Sequence, residues 1–281
     1  MSTNIVKSPA VEETLMLEPS HLLVKLLSFG AVLAVSIWSF TSLDFQSVNQ
    51  LGLQIVKNLS QFLFNPNAGD TGVNFIDKYL FTLEDYGVPY LMYETVMIAF
   101  MGTLFGAIIS VPFAFLSSKN ISGKTGSWVG SLVITSIRTV PIFIWGLLFI
   151  RVKGGPMAGV LAVSISSIGM ISKLYVEIIE DIDKGILEAL DSTGATTLQK
   201  IRFGIIPQLT ASFLSIAIYR FEINVKNAAI LGMVGAGGIG FTLIDALANF
   251  NFGVVAVCLY GLIPVVLVIE YISTAIRNKL V

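Results

Sequence analysis

The chain has one cysteine, Cys258, and one histidine, His21, among its 281 residues. That scarcity excludes a disulfide framework and leaves nothing from which to assemble a Cys/His zinc cluster, so no metal site is expected. Both residues stand in or beside apolar runs and read as a packed thiol and an interfacial imidazole. Charge is scarce as well: Asp, Glu, Lys and Arg make up 12% of the chain, against roughly 25% in soluble domains. With a formal net charge of -1 and no basic patch interleaved with aromatics, nucleic-acid binding is excluded. No stretch is rich enough in Pro, Gly or Ser to act as a linker, which predicts a polar tail over 1–21 and one membrane domain over 22–281.

What the sequence does have is apolar surface: 54% hydrophobic residues and a mean hydropathy of +0.82. Lipid is the expected solvent. The tail carries Glu12, Glu13 and Glu18 against Lys7 and so lacks the basic start of a cleaved signal; the first apolar run is expected to be retained. A bilayer core takes about 20 apolar residues per helix. Stretches 22–42, 90–116, 127–150, 157–179 and 252–275 meet that length, and 208–233 is a sixth, interrupted by Arg220, Glu222 and Lys226. The reading is an all-α integral membrane protein with six transmembrane helices.

With the N-terminus inside, Lys7, Lys119, Lys124, Lys184, Lys200, Arg202, Arg277 and Lys279 are cytoplasmic. Only Lys57, Lys78, Arg151 and Lys153 are then external. This imbalance favours cytoplasmic termini. Within 43–88, Val48, Leu51, Ile55, Leu59 and Phe62 recur at helical spacing and predict an amphipathic helix on the outer face, closed by the turn residues 65–70.

Between the fourth and fifth spans lies a polar segment, 180–207, EDIDKGILEALDSTGATTLQKIRFGIIP. Gly194 permits backbone angles closed to other residues, so two short helices can fold there into a knob, and the small Ala189 allows a partner to approach. Pro207 suits a helix start and is expected to separate the knob from the next span. The segment resembles the coupling loop of ABC importer permeases, whose pattern is Glu-Ala-Ala, three residues, Gly, nine residues, then Ile-x-Leu-Pro. Glu188, Ala189, Gly194 and Pro207 match it, while Leu190, Gly204 and Ile206 depart from it. The resemblance implies no catalytic site or cofactor on this chain, with ATP and Mg on a partner ATPase. It also implies a second copy of the chain, two such ATPases and an extracytoplasmic binding protein.

Two nucleotide motifs fail on context. Residues 118–125, SKNISGKT, have Ser118 where a Walker A loop needs glycine, and Gly235 to Gly240, a literal G-x-G-x-x-G, follows a membrane helix instead of a strand.

The stretch 219–240, YRFEINVKNAAILGMVGAGGIG, together with Arg138-x-x-Pro141, resembles phosphonate permeases, and the similarity runs over about 20–280. It implies import of a phosphonate or a related phosphorus oxyanion across the inner membrane; it does not separate phosphonate from phosphite or phosphate. Independently, Arg138, Arg220 and Lys226 against Glu222 leave net positive charge in the spans, the sign a path for an anion needs. Glu222 and Lys226 stand at i and i+4 and are expected to pair. Arg138 and Arg220 are then left facing either the path or a buried ion network. Gly235, Gly237, Gly238 and Gly240 predict an irregular hinge or gate near the outer mouth, followed by a short helix over 241–249.

Two other classes remain in view. A permease for another small anion shares the coupling loop. An ion-coupled secondary transporter would need acidic relays, for which Glu94, Glu222 and Glu270 are the candidates, and often shows an internal repeat, of which no sign is visible. A membrane enzyme lacks a convergent nucleophile, base and ligand set.

Overall fold

The computed structural model describes residues 22–42, 51–64 and 87–280. The chain divides into two compact units, Met1–Lys57 and Asn58–Val281. Every regular element among the described residues is helical. In the first unit, helix α1 runs over Leu22–Ser42. Its Ser36 and Ser42 hydroxyls donate to Val32 O at 2.8 Å and Trp38 O at 2.7 Å, which hides their polar groups against the helix itself. Helix α2, Leu51–Phe64, falls where the amphipathic helix is expected; Val48 and the 65–70 turn lie outside the described residues.

In the second unit, α3 covers Val88–Ser117 and α6 covers Pro156–Glu180. Helix α8 covers Ile206–Gly232 and α10 covers Phe252–Leu280. Both α3 and α6 open on a proline in their first turn, where a missing N–H leaves no bond unmade. They pack closely because Gly102 and Gly106 form a small-xxx-small stripe on α3. A Cβ at Gly102 would come 2.5 Å from Val163 Cγ1, and one at Gly106 equally close to Ser167 Cβ. Ile98, Ala99, Ala158, Val163, Val225 and Leu231 form the core at one end of these helices; Ala114, Ile171, Tyr175, Ile179, Ile205 and Leu209 form it at the other.

The third expected span, 127–150, is not one straight helix. It consists of α4, Lys119–Thr139, and α5, Ile142–Ile150, bent by 78° from each other. Pro141 is the cause: it pushes Val140 to extended angles (φ -87°, ψ 117°) and cannot donate to α4. Arg138 consequently sits in the last turn of α4, where the helix dipole favours a cation. Among the described residues five helices are long and apolar enough to cross a membrane, or six if the bent pair is one span.

Helix α6 connects the two ends of the bundle. Its start is joined to the glycine segment by Gly155 N–H donating to Gly235 O at 3.3 Å, and its end leads into the polar segment after Glu180. A helix of this length spans about 37 Å. The glycine segment and the polar knob therefore lie at opposite ends of the bundle. Glu180 Oε1 accepts from Lys119 N–H at 2.9 Å, and Asn120 Nδ2 donates to Ile179 O at 2.8 Å, so the start of α4 belongs to the knob end.

Candidate functional site: a polar knob, a two-faced helix and a glycine latch

Helix α7, Lys184–Ser192, forms the first limb of the knob. Asp183 Oδ1 accepts from Gly185 N–H at 2.9 Å and so satisfies a donor at its start. Gly194, at φ +72°, ends it, and the turn closes with Ala195 N–H donating to Leu190 O at 3.1 Å. A capping box then starts the second limb: Thr196 N–H donates to Gln199 Oε1 at 2.8 Å. Ile182 and Ile205, both buried, anchor the two limbs to the bundle through the core around Ile179. Glu188 and Ala189 are left exposed. Leu198 and Phe203, 76% and 68% exposed, join them, with the Arg202 guanidinium 5.7 Å from the Phe203 ring centre. Neither apolar side chain is singled out by the sequence.

Pro207 does not separate the knob from the following span. The chain stays helical from Thr197 to Gly232, with a π-helical stretch at Lys200–Ile205 in which Ile206 N–H bonds back to Ile201 O. The wider register removes the clash that a proline ring makes with the carbonyl one turn earlier, so the proline fits inside a continuous helix.

Helix α8 has two polar faces. Arg220, 6% exposed, turns towards α6, where its Nη2 donates to Ser166 Oγ at 3.4 Å. Its buried Nε has no hydrogen-bond partner, and no acid among the described residues lies within ion-pair distance. One turn on, the fully buried Asn224 donates to Thr103 Oγ1 at 2.8 Å and Ser167 Oγ at 2.7 Å, tying α8 to α3 and α6. Two residues round a helix is about 200°, so Glu222 points away from Arg220. Glu222 pairs with Lys226 at 3.5 Å and with Arg277 of α10 at 3.5 Å, while Lys226 also reaches Glu270 at 3.3 Å. Arg277 lies over the Tyr219 ring at 5.2 Å. Arg138 is exposed, and its stem packs beside Gly169, three residues and so one turn from Ser166 on α6. The structure thus sets Arg138 and Arg220 against adjoining turns of α6 and places Glu222 and Lys226 in a compensated ladder on the other side. Asn224, Thr103 and Ser167 were not singled out in the sequence; an asparagine four residues after an arginine in an apolar run was their only signal.

At the opposite end Gly235, Gly237 and Gly238 take φ of +82°, +84° and +75° and lead into α9, Ile239–Ala248. Gly238 N–H donates to Glu94 Oε1 at 3.0 Å, and Ile239 N–H donates to Thr95 Oγ1 at 2.9 Å. Gly240 crosses Gly232 backbone on backbone, with a Cα 2.6 Å from where a Gly232 Cβ would stand. Leu91, Glu94, Gly155, Gly237 and Thr242 border a cavity of about 320 Å³ beside the segment.

Residues 102–281 match the family model described as binding-protein-dependent transport system inner membrane component. The phosphate-import permease protein PhnE of Mycolicibacterium smegmatis is 39% identical over 196 residues, 68% of this chain but only 36% of that protein's length. The phosphite transport system permease protein PtxC of Stutzerimonas stutzeri is 33% identical over 187 residues, 66% of this chain and 68% of that one. An inward-facing structure of the MetNI methionine ABC transporter shares the fold, with a TM-score of 0.59 at 22% identity over 69% of this chain and 96% of that one. The chain belongs to the family of binding-protein-dependent transport system inner membrane components.

Proposed function

We propose that this chain is the membrane-spanning subunit of an ATP-driven importer for phosphonate or a related phosphorus oxyanion, working as a homodimer in the inner membrane. The observation that carries the reading is the exposed knob at 184–205, which offers Glu188, Ala189, Leu198 and Phe203 at the end of the bundle away from the glycine segment. One knob per chain calls for two chains to engage two ATPase subunits. ATP and Mg belong to those subunits, and an extracytoplasmic binding protein delivers the cargo at the glycine end. Both termini face the cytoplasm in this reading, in keeping with Arg277 and Lys279 in the last turn of α10.

The relatives' names supply the cargo class, and Arg220 supplies its chemistry. A buried guanidinium with an unmatched Nε and no acid partner among the described residues is suited to a passing oxyanion, whose oxygens accept its planar fork. The Glu222–Lys226–Glu270–Arg277 ladder is electrically balanced, so its role in the path is to hold α8 against α10. Weak holding serves transport, since a conducting path must also release.

Two measurements test this. The purified complex should contain two permease chains for two ATPases; one permease per two ATPases contradicts it. In reconstituted vesicles carrying the full complex, Arg220→Gln should lower import of phosphonate, phosphite or phosphate by about tenfold, the worth of one charge-assisted hydrogen bond, with Arg138→Gln milder because it is exposed. Capture by the binding protein should be unaffected. Full transport by both variants removes the arginines from the path, and failure of Arg220→Gln to assemble makes Arg220 a packing residue.

A further inference from the structure

We infer that Glu94 is a positioning residue for transport: its carboxylate latches the glycine segment to the start of α3, and this latch opens and re-forms as the pathway gates. The inference rests on the importer reading above and adds to it the part that moves.

Glu94 lies in the second turn of α3, inside a membrane-spanning helix. Its carboxylate is part-buried, and an acid so placed asks for a partner. Among the described residues no cation lies within ion-pair distance; its hydrogen-bond partner is the N–H of Gly238, the residue that caps α9. That end of a helix carries partial positive charge and unsatisfied N–H groups, so the carboxylate is held by both. The neighbouring Thr95 hydroxyl accepts the next N–H, of Ile239, and donates its own hydrogen bond to Leu91 O at 2.7 Å.

The glycines are shaped to this contact. A Cβ at Gly237 would stand 2.6 Å from Glu94 Oε1, and one at Gly238 would stand 2.5 Å from Thr95 Oγ1. The positive φ angles and missing side chains at Gly237 and Gly238 let backbone donors reach two side chains of α3, while Gly235 lies against Ile150.

The flanks of the segment differ in firmness. On one side Gly232 and Gly240 meet backbone on backbone, with no side chain to rotate away. Towards α3 the hold is two side chains, Glu94 and Thr95, next to the cavity of about 320 Å³, while towards α6 the segment again lies against backbone, at Pro156 and through Ala236 O at Gly159. Motion is therefore expected to pivot on the Gly232–Gly240 crossing and to enter that cavity. Helix α8 joins this pivot directly to the knob, so a displacement of the knob reaches the latch through one continuous helix.

The test uses the full complex in lipid vesicles, with Thr242→Cys as a reporter beside the cavity and labelling by a membrane-impermeant maleimide. Glu94→Ala should raise the labelling rate several-fold, raise ATP hydrolysis without binding protein several-fold and lower import about tenfold. Glu94→Gln keeps a carbonyl acceptor at the same reach but loses the charge that the helix start favours, and should fall between the parent and Glu94→Ala. Glu94→Asp, one methylene short, should behave as Glu94→Ala and replaces it if the alanine variant does not assemble. Unchanged labelling and unchanged basal hydrolysis in Glu94→Ala or Glu94→Asp overturn the latch, as does Glu94→Gln as damaged as Glu94→Ala. Labelling needs no cargo, so absence of import by the parent complex would count against the importer reading while the labelling comparison still decides the latch.

Discussion

Replacing Gly194 by valine should abolish cargo-stimulated ATP hydrolysis and cut import by more than tenfold, with the chain still inserted in the membrane. Gly194 holds φ at +72°. A left-handed angle costs an ordinary residue about 1–2 kcal/mol, and a β-branched side chain fits that region worst. No atom lies within 4 Å of where a Cβ would be, so the whole effect comes from the backbone. Valine would drive the turn to another conformation, break the Ala195 N–H to Leu190 O bond and swing Glu188 and Ala189 away from the second limb of the knob. Asparagine, which tolerates this region, should retain most of the coupling, and alanine should fall between them. Insertion is set by the apolar helices and should not change. Normal stimulation of ATP hydrolysis in the valine variant would show that the knob does not couple to the ATPase.

Gly240→Ala should be the most destabilising single methyl addition in the chain's second unit. Its Cβ would overlap the carbonyl oxygen of Ala229 and stand 3.0 Å from Gly232 Cα. Overpacking typically costs about 1–3 kcal/mol, and the upper end applies because backbone atoms cannot rotate aside. The detergent-solubilised protein should lose several degrees of thermal stability and much of its yield. Gly30→Ala is the matching control: no atom lies within 4 Å of its Cβ position, and alanine favours a helix more than glycine does. Equal stability of the two variants would mean that the Gly232–Gly240 crossing is looser than described.

Much of the fold was legible because a bilayer measures local composition. The apolar runs 90–116 and 157–179 anticipated Val88–Ser117 and Pro156–Glu180 to within two residues at each end. The break at Val140–Pro141 was not anticipated, since an apolar window adds hydropathy across a proline without registering that a donor is missing. Pro207 stands in the first turn of α8, as its chemistry suggests, but the π-helical stretch ahead of it keeps the chain helical across the boundary. Gly194 was read correctly as a turn because its local chemistry is enough to require one.

The sequence by itself determined how long the helices are, where the knob bends and which charged residues lie within the spans, all of which follow from neighbours along the chain. Only the tertiary structure decided which charges meet. Glu222 is drawn to Arg277, which lies 55 residues away in sequence, and Arg220 is turned to the other face of the same helix beside Ser166. Glu94 finds the Gly238 N–H across 144 residues. Such pairings depend on separations of a few ångströms between helices, because Coulomb attraction and hydrogen bonding fall off over those distances. Those separations are set by how closely Gly102, Gly106 and Gly240 let the backbones approach.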